Sequence, residues 1–94
     1  MVIRNIDFTG EIFKEDGMFV AYCPELDVSS CGITIDEAKK NLLQATKLFI
    51  EESQKMGNLK AILEESGYDT SKNNLQSPMI EIDKLKLNVE VGKN

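Results

Sequence analysis

The side chains available for chemistry are carboxylates and two cysteines, because the chain contains no histidine. Without an imidazole there is no Ser–His or Cys–His nucleophile, no histidine general base and no histidine metal ligand. Cys23 and Cys31 have no second cysteine pair beside them, so a zinc site would lack ligands. We expect both to be small apolar strand residues, with a disulfide between them as the other interpretation. The sequence predicts a protein that is not an enzyme and that uses no metal or cofactor.

A metal-dependent nuclease site would need several carboxylates that converge on shared ions. Asp7 and Glu11 lie on the polar side of the first predicted strand, and Glu25 and Asp27 bracket the turn after the second. Nothing in this spacing forces the four side chains together. We therefore interpret these acids as solvated surface.

The charge balance restricts the partners. Eleven basic and sixteen acidic side chains give the 94-residue chain a net charge of −5. This argues against a general phosphate-backbone binder and against a polybasic membrane patch. The N-terminus does not resemble a signal peptide, and no apolar run approaches the roughly 20 residues of a membrane-spanning helix. We expect a cytoplasmic protein of one domain, residues 1–94, with its core in 2–56 and a second helix and C-terminal strand in 58–91.

The N-terminal third predicts an antiparallel meander. Residues 2–14 predict one strand, because side chains within 6–12 alternate between an apolar and a polar face. Asp16-Gly17 then predicts a hairpin, because glycine tolerates a positive φ. Met18–Cys23 is apolar on both faces, which favours a central and well-covered strand. A Pro-Glu-Leu turn and a short strand over 28–32 complete the meander.

Helices follow. Thr34 and Glu37 fit a capping box, in which each side chain accepts the backbone N–H of the other residue. Apolar residues then recur at three- and four-residue spacing, which predicts a long helix that buries one stripe against the sheet and ends at Gly57. The stripe consists of Ile35, Ala38, Leu42, Ala45, Phe49 and Met56. A shorter helix is expected over 58–66, with Asn58 as its cap and Gly67 in the left-handed conformation after it.

The C-terminal third begins with a polar loop over 69–77 and resumes strand-like alternation over 79–91. The alternation changes parity near Asp83-Lys84, where we expect a bulge or break. The elements together predict an α+β fold. It consists of a three-stranded antiparallel meander, a long helix packed on the sheet, a short second helix and a C-terminal strand.

Short motifs in a fixed order span the second strand, the turn and the long helix. Residues 19–26 read Phe-Val-Ala-Tyr-Cys-Pro-Glu-Leu, residues 32–38 read Gly-Ile-Thr-Ile-Asp-Glu-Ala, and Asn41-Leu42 and Ala45 follow. This ordered set resembles the HicB-type antitoxin family over about residues 6 to 52. The resemblance implies a degenerate RNase H-like fold that lacks the nuclease acids. Its structural motif consists here of Tyr22, Pro24, Gly32, Thr34, Glu37 and Ala38.

The resemblance also implies partners. HicB-type antitoxins bind and neutralise a small, basic HicA-type toxin ribonuclease, and many assemble as homodimers or homotetramers. An acidic chain suits electrostatic steering toward such a basic protein. From charge and expected exposure alone, the candidate partner-binding residues are Glu25, Asp27 and Asp36.

Two other functions remain open. The chain could be a stand-alone HicB-like module that works as a homo-oligomeric scaffold or regulator. It could also bind nucleic acid weakly through Lys84 and Lys86, although lysines on an exposed strand more often discourage unwanted strand pairing. Relatives that repress their own operon carry an appended helix–turn–helix or ribbon–helix–helix domain. No convincing one precedes Asn94, which argues against direct DNA binding.

Overall fold

The computed structural model describes residues 1–92 and has the expected α+β fold. Three strands form an antiparallel sheet in the order β2-β3-β4, and two shorter strands, β1 and β5, form a separate parallel pair. The elements are β1 Asn5–Ile6, β2 Glu11–Glu15, β3 Met18–Cys23, β4 Val28–Gly32, α1 Ile35–Met56, α2 Leu59–Glu65 and β5 Asn74–Leu75.

The hairpin between β2 and β3 forms where the sequence predicts it. Glu15 pairs with Met18, which leaves a two-residue turn. Both turn residues have positive φ, 49° at Asp16 and 78° at Gly17. This is the type I′ geometry that matches the twist of the flanking strands. The prediction of β4 over 28–32 is also confirmed.

The first strand differs from the prediction. Residues 2–14 do not form one strand, because residues 7–10, between β1 and β2, belong to neither sheet. β1 pairs in parallel with β5, at Asn5 with Asn74 and at Ile6 with Leu75. The predicted loop over 69–77 therefore contains a short strand. Alternation could not reveal this division, because it is the same whether a strand continues in one sheet or changes partner.

The helix α1 begins and ends as expected. The Thr34 hydroxyl accepts the Glu37 N–H at 3.1 Å, and the Gly57 N–H donates to the Gln54 carbonyl with Gly57 at φ 79°. Within residues 1–92 the return bond from the Glu37 carboxylate is not formed, so the Thr34 hydroxyl makes the cap alone. For α2, Gly67 has the expected left-handed φ, but the Asn58 side chain makes no cap bond.

The buried stripe of α1 is shorter than predicted. Ile35 and Met56 are 44% and 74% exposed, because a helix of 22 residues is about 33 Å long and extends beyond strands of about 17–20 Å. Two polar side chains, Thr46 and Ser53, occupy buried positions on the same stripe.

The core lies between the sheet, α1 and α2. It is not confined to residues 2–56, because α2 and the chain after it supply four of its buried side chains. The buried hydrophobic residues are Ala21, Cys23, Leu26, Ala38, Leu42, Leu59, Leu63, Tyr68 and Leu75.

The central strand β3 is covered on one face only. Ala21 and Cys23 point toward α1 and are fully buried, whereas Met18 on the other face is 40% exposed. The expectation of a strand covered on both sides was therefore wrong, because no second layer packs on the opposite face within residues 1–92.

The strand expected over 79–91 is not formed among the described residues 1–92. We call residues 79–92 the C-terminal segment; it has no helix and no strand pairing, and its side chains are exposed. The radius of gyration is 16.6 Å, against about 12 Å for a compact chain of this length. The principal dimensions of 57 × 27 × 21 Å agree with a segment that projects from the domain.

Within residues 1–92 no helix has the length and apolarity to cross a bilayer.

Candidate functional site

The face of the main sheet opposite α1 is the broadest candidate binding surface. Paired residues in an antiparallel ladder point to the same side, so the strand register identifies which side chains share this face. Phe13 pairs with Val20 and Val20 with Cys31, while Glu11 pairs with Tyr22 and Tyr22 with Ser29. We call this surface the open sheet face; it consists of Glu11, Phe13, Glu15, Met18, Val20, Tyr22, Ser29 and Cys31.

The centre of the open sheet face is apolar. Phe13 is 51% exposed, Val20 and Tyr22 are half-buried, and Met18 and Cys31 are exposed. A lone exposed apolar side chain is common on soluble proteins, whereas several adjacent ones on one sheet face make that face a candidate interaction surface. The geometry therefore favours contact with another macromolecule at this face.

The charged groups on and beside the open sheet face are acids. The Tyr22 hydroxyl donates to the Asp27 carboxylate at 2.8 Å, which places Asp27 at the edge of the face. The pKa of Tyr22 is raised, first by this hydrogen bond, then by burial and by the negative charges of Asp27 and Glu11. The phenol stays protonated and holds Asp27 in place, so the face combines an apolar centre with a negative potential.

Glu25 is hydrogen-bonded within the domain and is not the solvated surface acid that the sequence predicts. Its carboxylate accepts the Thr9 N–H at 2.9 and 3.1 Å, the Thr9 hydroxyl at 2.8 Å and the hydroxyl of Ser77. The Ser77 N–H donates to Asp7, whose backbone carbonyl accepts the Tyr68 hydroxyl at 2.8 Å. We call Asp7, Thr9, Glu25 and Ser77 the Glu25 cluster.

The Glu25 cluster holds a partly buried, ionised carboxylate. Burial alone would raise the pKa of Glu25, but the hydrogen bonds from Ser77 and Thr9 outweigh it and lower the pKa. Both carboxylate oxygens are already engaged, so Glu25 is a structural acceptor that joins the β1–β2 connection, the β3–β4 turn and the start of the C-terminal segment.

The three predicted partner-binding acids do not lie together. Asp27 borders the open sheet face, while Glu25 lies in the Glu25 cluster. Asp36 is exposed in the first turn of α1, in the layer that covers the opposite face of the sheet. Of the three, the structure places only Asp27 beside the open sheet face.

The two cysteines are free thiols, as expected. Burial raises the pKa of Cys23 to about 11, so this thiol stays protonated and is a poor nucleophile. Cys31 lies on a strand as expected, but it is exposed, because it points to the uncovered side of the sheet. Among residues 1–92 no group of three or more cysteine or carboxylate side chains is placed to hold a metal ion.

The motif residues that carry the family resemblance position α1 against the sheet. A Cβ atom at Gly32 would lie 2.6 Å from the Ala38 backbone nitrogen, so the helix backbone touches β4 directly. The Asn41 side-chain amide donates to the Cys31 carbonyl at 2.8 Å, one helical turn farther along. Together with the Thr34 cap, these contacts show that the motif residues hold the start of α1 against β4.

The open sheet face was missed from the sequence because apolar residues on both sides of a strand were interpreted as burial. A usable signal was present on β2, where Glu11 and Glu15 flank Phe13 on the same side. An apolar residue between two acids on one strand face is more typical of an exposed face than of a core.

No family model, no curated protein and no solved structure matches the chain.

Proposed function

We propose that this protein is a HicB-like antitoxin whose open sheet face binds and neutralises a small, basic HicA-type ribonuclease. The observation that carries the proposal is an uncovered sheet face whose centre is apolar and whose charged groups are all acidic. The ordered motifs that resemble the HicB family support the same function independently.

The apolar centre would supply the binding energy. Burial of apolar surface stabilises a complex by about 25 cal/mol per Å² removed from water, before the costs of association. Phe13, Met18 and Tyr22 are large side chains of the types enriched at interface centres. They stand on a sheet whose other side is fixed by α1, so little conformational order has to be gained on binding.

The acids would select a basic partner. Glu11, Glu15 and Asp27 surround the apolar centre. Their negative charges would raise the association rate constant of a partner with a positive surface and would orient it. Basic groups on a ribonuclease are the groups that contact RNA phosphates. Carboxylates that engage those groups compete with the substrate, which is a direct route to neutralisation.

The interface would extend beyond the strands. Three strands of five or six residues offer a platform of roughly 15 by 17 Å, smaller than the roughly 800 Å² per partner of a standard interface. We expect the partner also to contact the two turns that border the platform, the hairpin at Asp16 and the turn at Asp27. Both turns are acidic, so the charge argument applies to them as well.

Reversing the charges beside the open sheet face is expected to weaken partner binding. The variant Glu11→Lys/Asp27→Lys should lose on the order of 10- to 100-fold in affinity, largely through slower association. Glu51→Lys/Glu64→Lys is the matched control, because it makes the same change in net charge at exposed helix positions. The measurement is the binding of a small basic ribonuclease, recovered with tagged chain from the source cells, by calorimetry and stopped-flow.

The apolar centre is tested separately with Phe13→Ala and with Leu48→Ala, a control of similar exposure on α1. Antitoxin function requires that the recovered protein cleave RNA, that the chain suppress this cleavage, and that Phe13→Ala lower both binding and suppression. Equal affinity for the sheet-face variants and their controls would reject the open sheet face as the binding site. Recovery of no ribonuclease would reject the antitoxin function.

A second candidate function, a stand-alone homo-oligomeric module, is favoured by one observation. The C-terminal segment exposes a row of aliphatic side chains that nothing else in the described part of the chain covers. Self-association without a ribonuclease partner would support that function in place of the first.

A further inference from the structure

The C-terminal segment has the side-chain pattern of a strand, but within residues 1–92 no strand pairs with it. Its aliphatic side chains are between 63% and 99% exposed, far more than the half-buried residues that support the core. They are Ile80, Ile82, Leu85, Leu87, Val89 and Val91. A strand with a wholly aliphatic side and unpaired backbone groups is a template for pairing with another strand.

From residue 84 onward the two sides of the segment are distinct. Leu85, Leu87, Val89 and Val91 share one side, and Lys84, Lys86, Asn88 and Glu90 share the other. Such a strand can bury its aliphatic side only if its neighbour presents aliphatic residues at the matching positions. Charges on the polar side must also match the neighbour.

We propose that this stretch pairs with the same stretch of a second copy, as an antiparallel two-stranded ribbon centred on Asn88. In that register Leu85 faces Val91 and Leu87 faces Val89, each twice by symmetry. On the polar side Lys86 faces Glu90, again twice, and Asn88 faces its own copy. The segment is thus complementary to itself, as a two-fold interface requires.

Other pairings of the segment with itself fit less well. Centring the ribbon on Leu87 places Val91 opposite Asp83. Centring it on Val89 leaves Leu85 without an aliphatic partner and places Lys86 opposite Gly92. A parallel ribbon in register places each lysine on a lysine and Glu90 on Glu90, and like charges directly opposite are destabilising. Only the register centred on Asn88 matches all four aliphatic residues and pairs opposite charges.

The root of the segment is fixed to the domain. Ser77 is held by Glu25 and Asp7, and Met79, Ile80 and Ile82 line a groove beside Phe8. An isolated two-stranded ribbon is only marginally stable in water. We therefore expect the aliphatic side of the ribbon to close on apolar surface near its root, so that the dimer buries more than the two strands alone.

Cysteine cross-linking tests the register directly. At an opposed pair the two Cα atoms are about 4.5–5.5 Å apart, within the range of a disulfide. In a Cys31→Ser background, Asn88→Cys should form a dimer with oxidised glutathione about ten times faster than Lys86→Cys. The two copies of residue 86 are offset by four residues, about 13 Å, in the proposed ribbon.

A charge exchange tests the same register without cross-linking. Lys86→Glu places an acid opposite Glu90 and should raise the dimer dissociation constant about tenfold, while Lys86→Glu/Glu90→Lys restores it. Lys84→Glu makes the same change in net charge but faces Gly92, so it should change the constant little. Leu87→Asp should abolish the dimer without unfolding the domain, because Leu87 is 81% exposed in the single chain.

Sedimentation equilibrium of the full chain decides the oligomeric state. The proposal requires a mass twice the 10.5 kDa of one chain. A single-chain mass at hundreds of micromolar, or equal cross-linking rates at positions 86 and 88, would overturn it. The proposal would also be overturned if the chain is a monomer and its C-terminal segment serves only to bind a basic ribonuclease. None of these results depends on whether the open sheet face binds a toxin.

Discussion

Replacing Gly32 with alanine is expected to destabilise the protein by about 2–3 kcal/mol. The added Cβ would lie 2.6 Å from the Ala38 backbone nitrogen and 2.9 Å from the Glu37 carbonyl carbon and Cβ. The Ala38 nitrogen and the Glu37 carbonyl carbon are backbone atoms, so they cannot move aside as a flexible side chain would. The start of α1 must shift away from β4, and the fully buried Ala38 must shift with it.

Gly10→Ala is the matched control for Gly32→Ala. At Gly10 an added Cβ would meet only the Leu42 Cδ2 atom, at an ordinary contact distance of 3.7 Å. The change should stay within about 0.5 kcal/mol of the wild type. Thermal unfolding separates the two, because 1 kcal/mol corresponds to about 4–8 °C in a domain of this size. Equal midpoints for the two variants would show that the close contact between β4 and α1 does not limit stability.

Replacing Glu25 with alanine is expected to cost about 2–3 kcal/mol, because hydrogen bonds to a charged group are among the stronger ones. The change leaves the Thr9 N–H and hydroxyl without their acceptor, and Thr9 is 9% exposed. It also releases the Ser77 hydroxyl and so loosens the root of the C-terminal segment. Glu51→Ala is the control, since Glu51 is an exposed acid on α1 with no hydrogen bond to its side chain within residues 1–92.

The contribution of Glu25 to the free energy of unfolding should decrease at acidic pH. Its folded-state pKa is lowered below the ordinary 4.5, so its stabilisation is present above pH 4.5 and is lost as the pH falls through the folded-state pKa. In Glu25→Gln the unfolding free energy should fall less steeply in this acidic range than in the wild type. Asp69, whose pKa is lowered by hydrogen bonds from Ser71, contributes a similar slope to both proteins. Urea unfolding between pH 2.5 and 7 measures the difference, and parallel curves would contradict the role assigned to Glu25.

The features that could be predicted from sequence are those set by neighbouring residues. The Asp16-Gly17 turn needs two adjacent positive φ angles, and the Thr34 cap needs a hydroxyl three residues before a helical N–H. Both signals lie within a few positions, and both were predicted correctly. The same holds for Gly57 at the end of α1.

The features that could not be predicted join distant parts of the chain. Asn5 pairs with Asn74 across 69 positions, and two-residue strands are too short to carry a period. Glu25 was interpreted as an exposed acid because its partners Thr9 and Ser77 lie 16 and 52 residues away. Whether a face of β3 is buried depends on whether another layer packs on it. The sequence of β3 does not show this, because its apolar pattern is the same with one covering layer as with two.

The parallel pairing of β1 with β5 also has a consequence for the order of folding. The hairpin, β4 and α1 make contacts between chain neighbours, so this unit has low contact order and can form early. β1 is synthesised before the other elements of this fold, yet its partner β5 emerges almost seventy residues later. Loop-closure entropy opposes that pairing until the elements between β1 and β5 have folded. We therefore expect β1 to be the last element to gain protection from hydrogen exchange, because its pairing partner is synthesised after all the other elements.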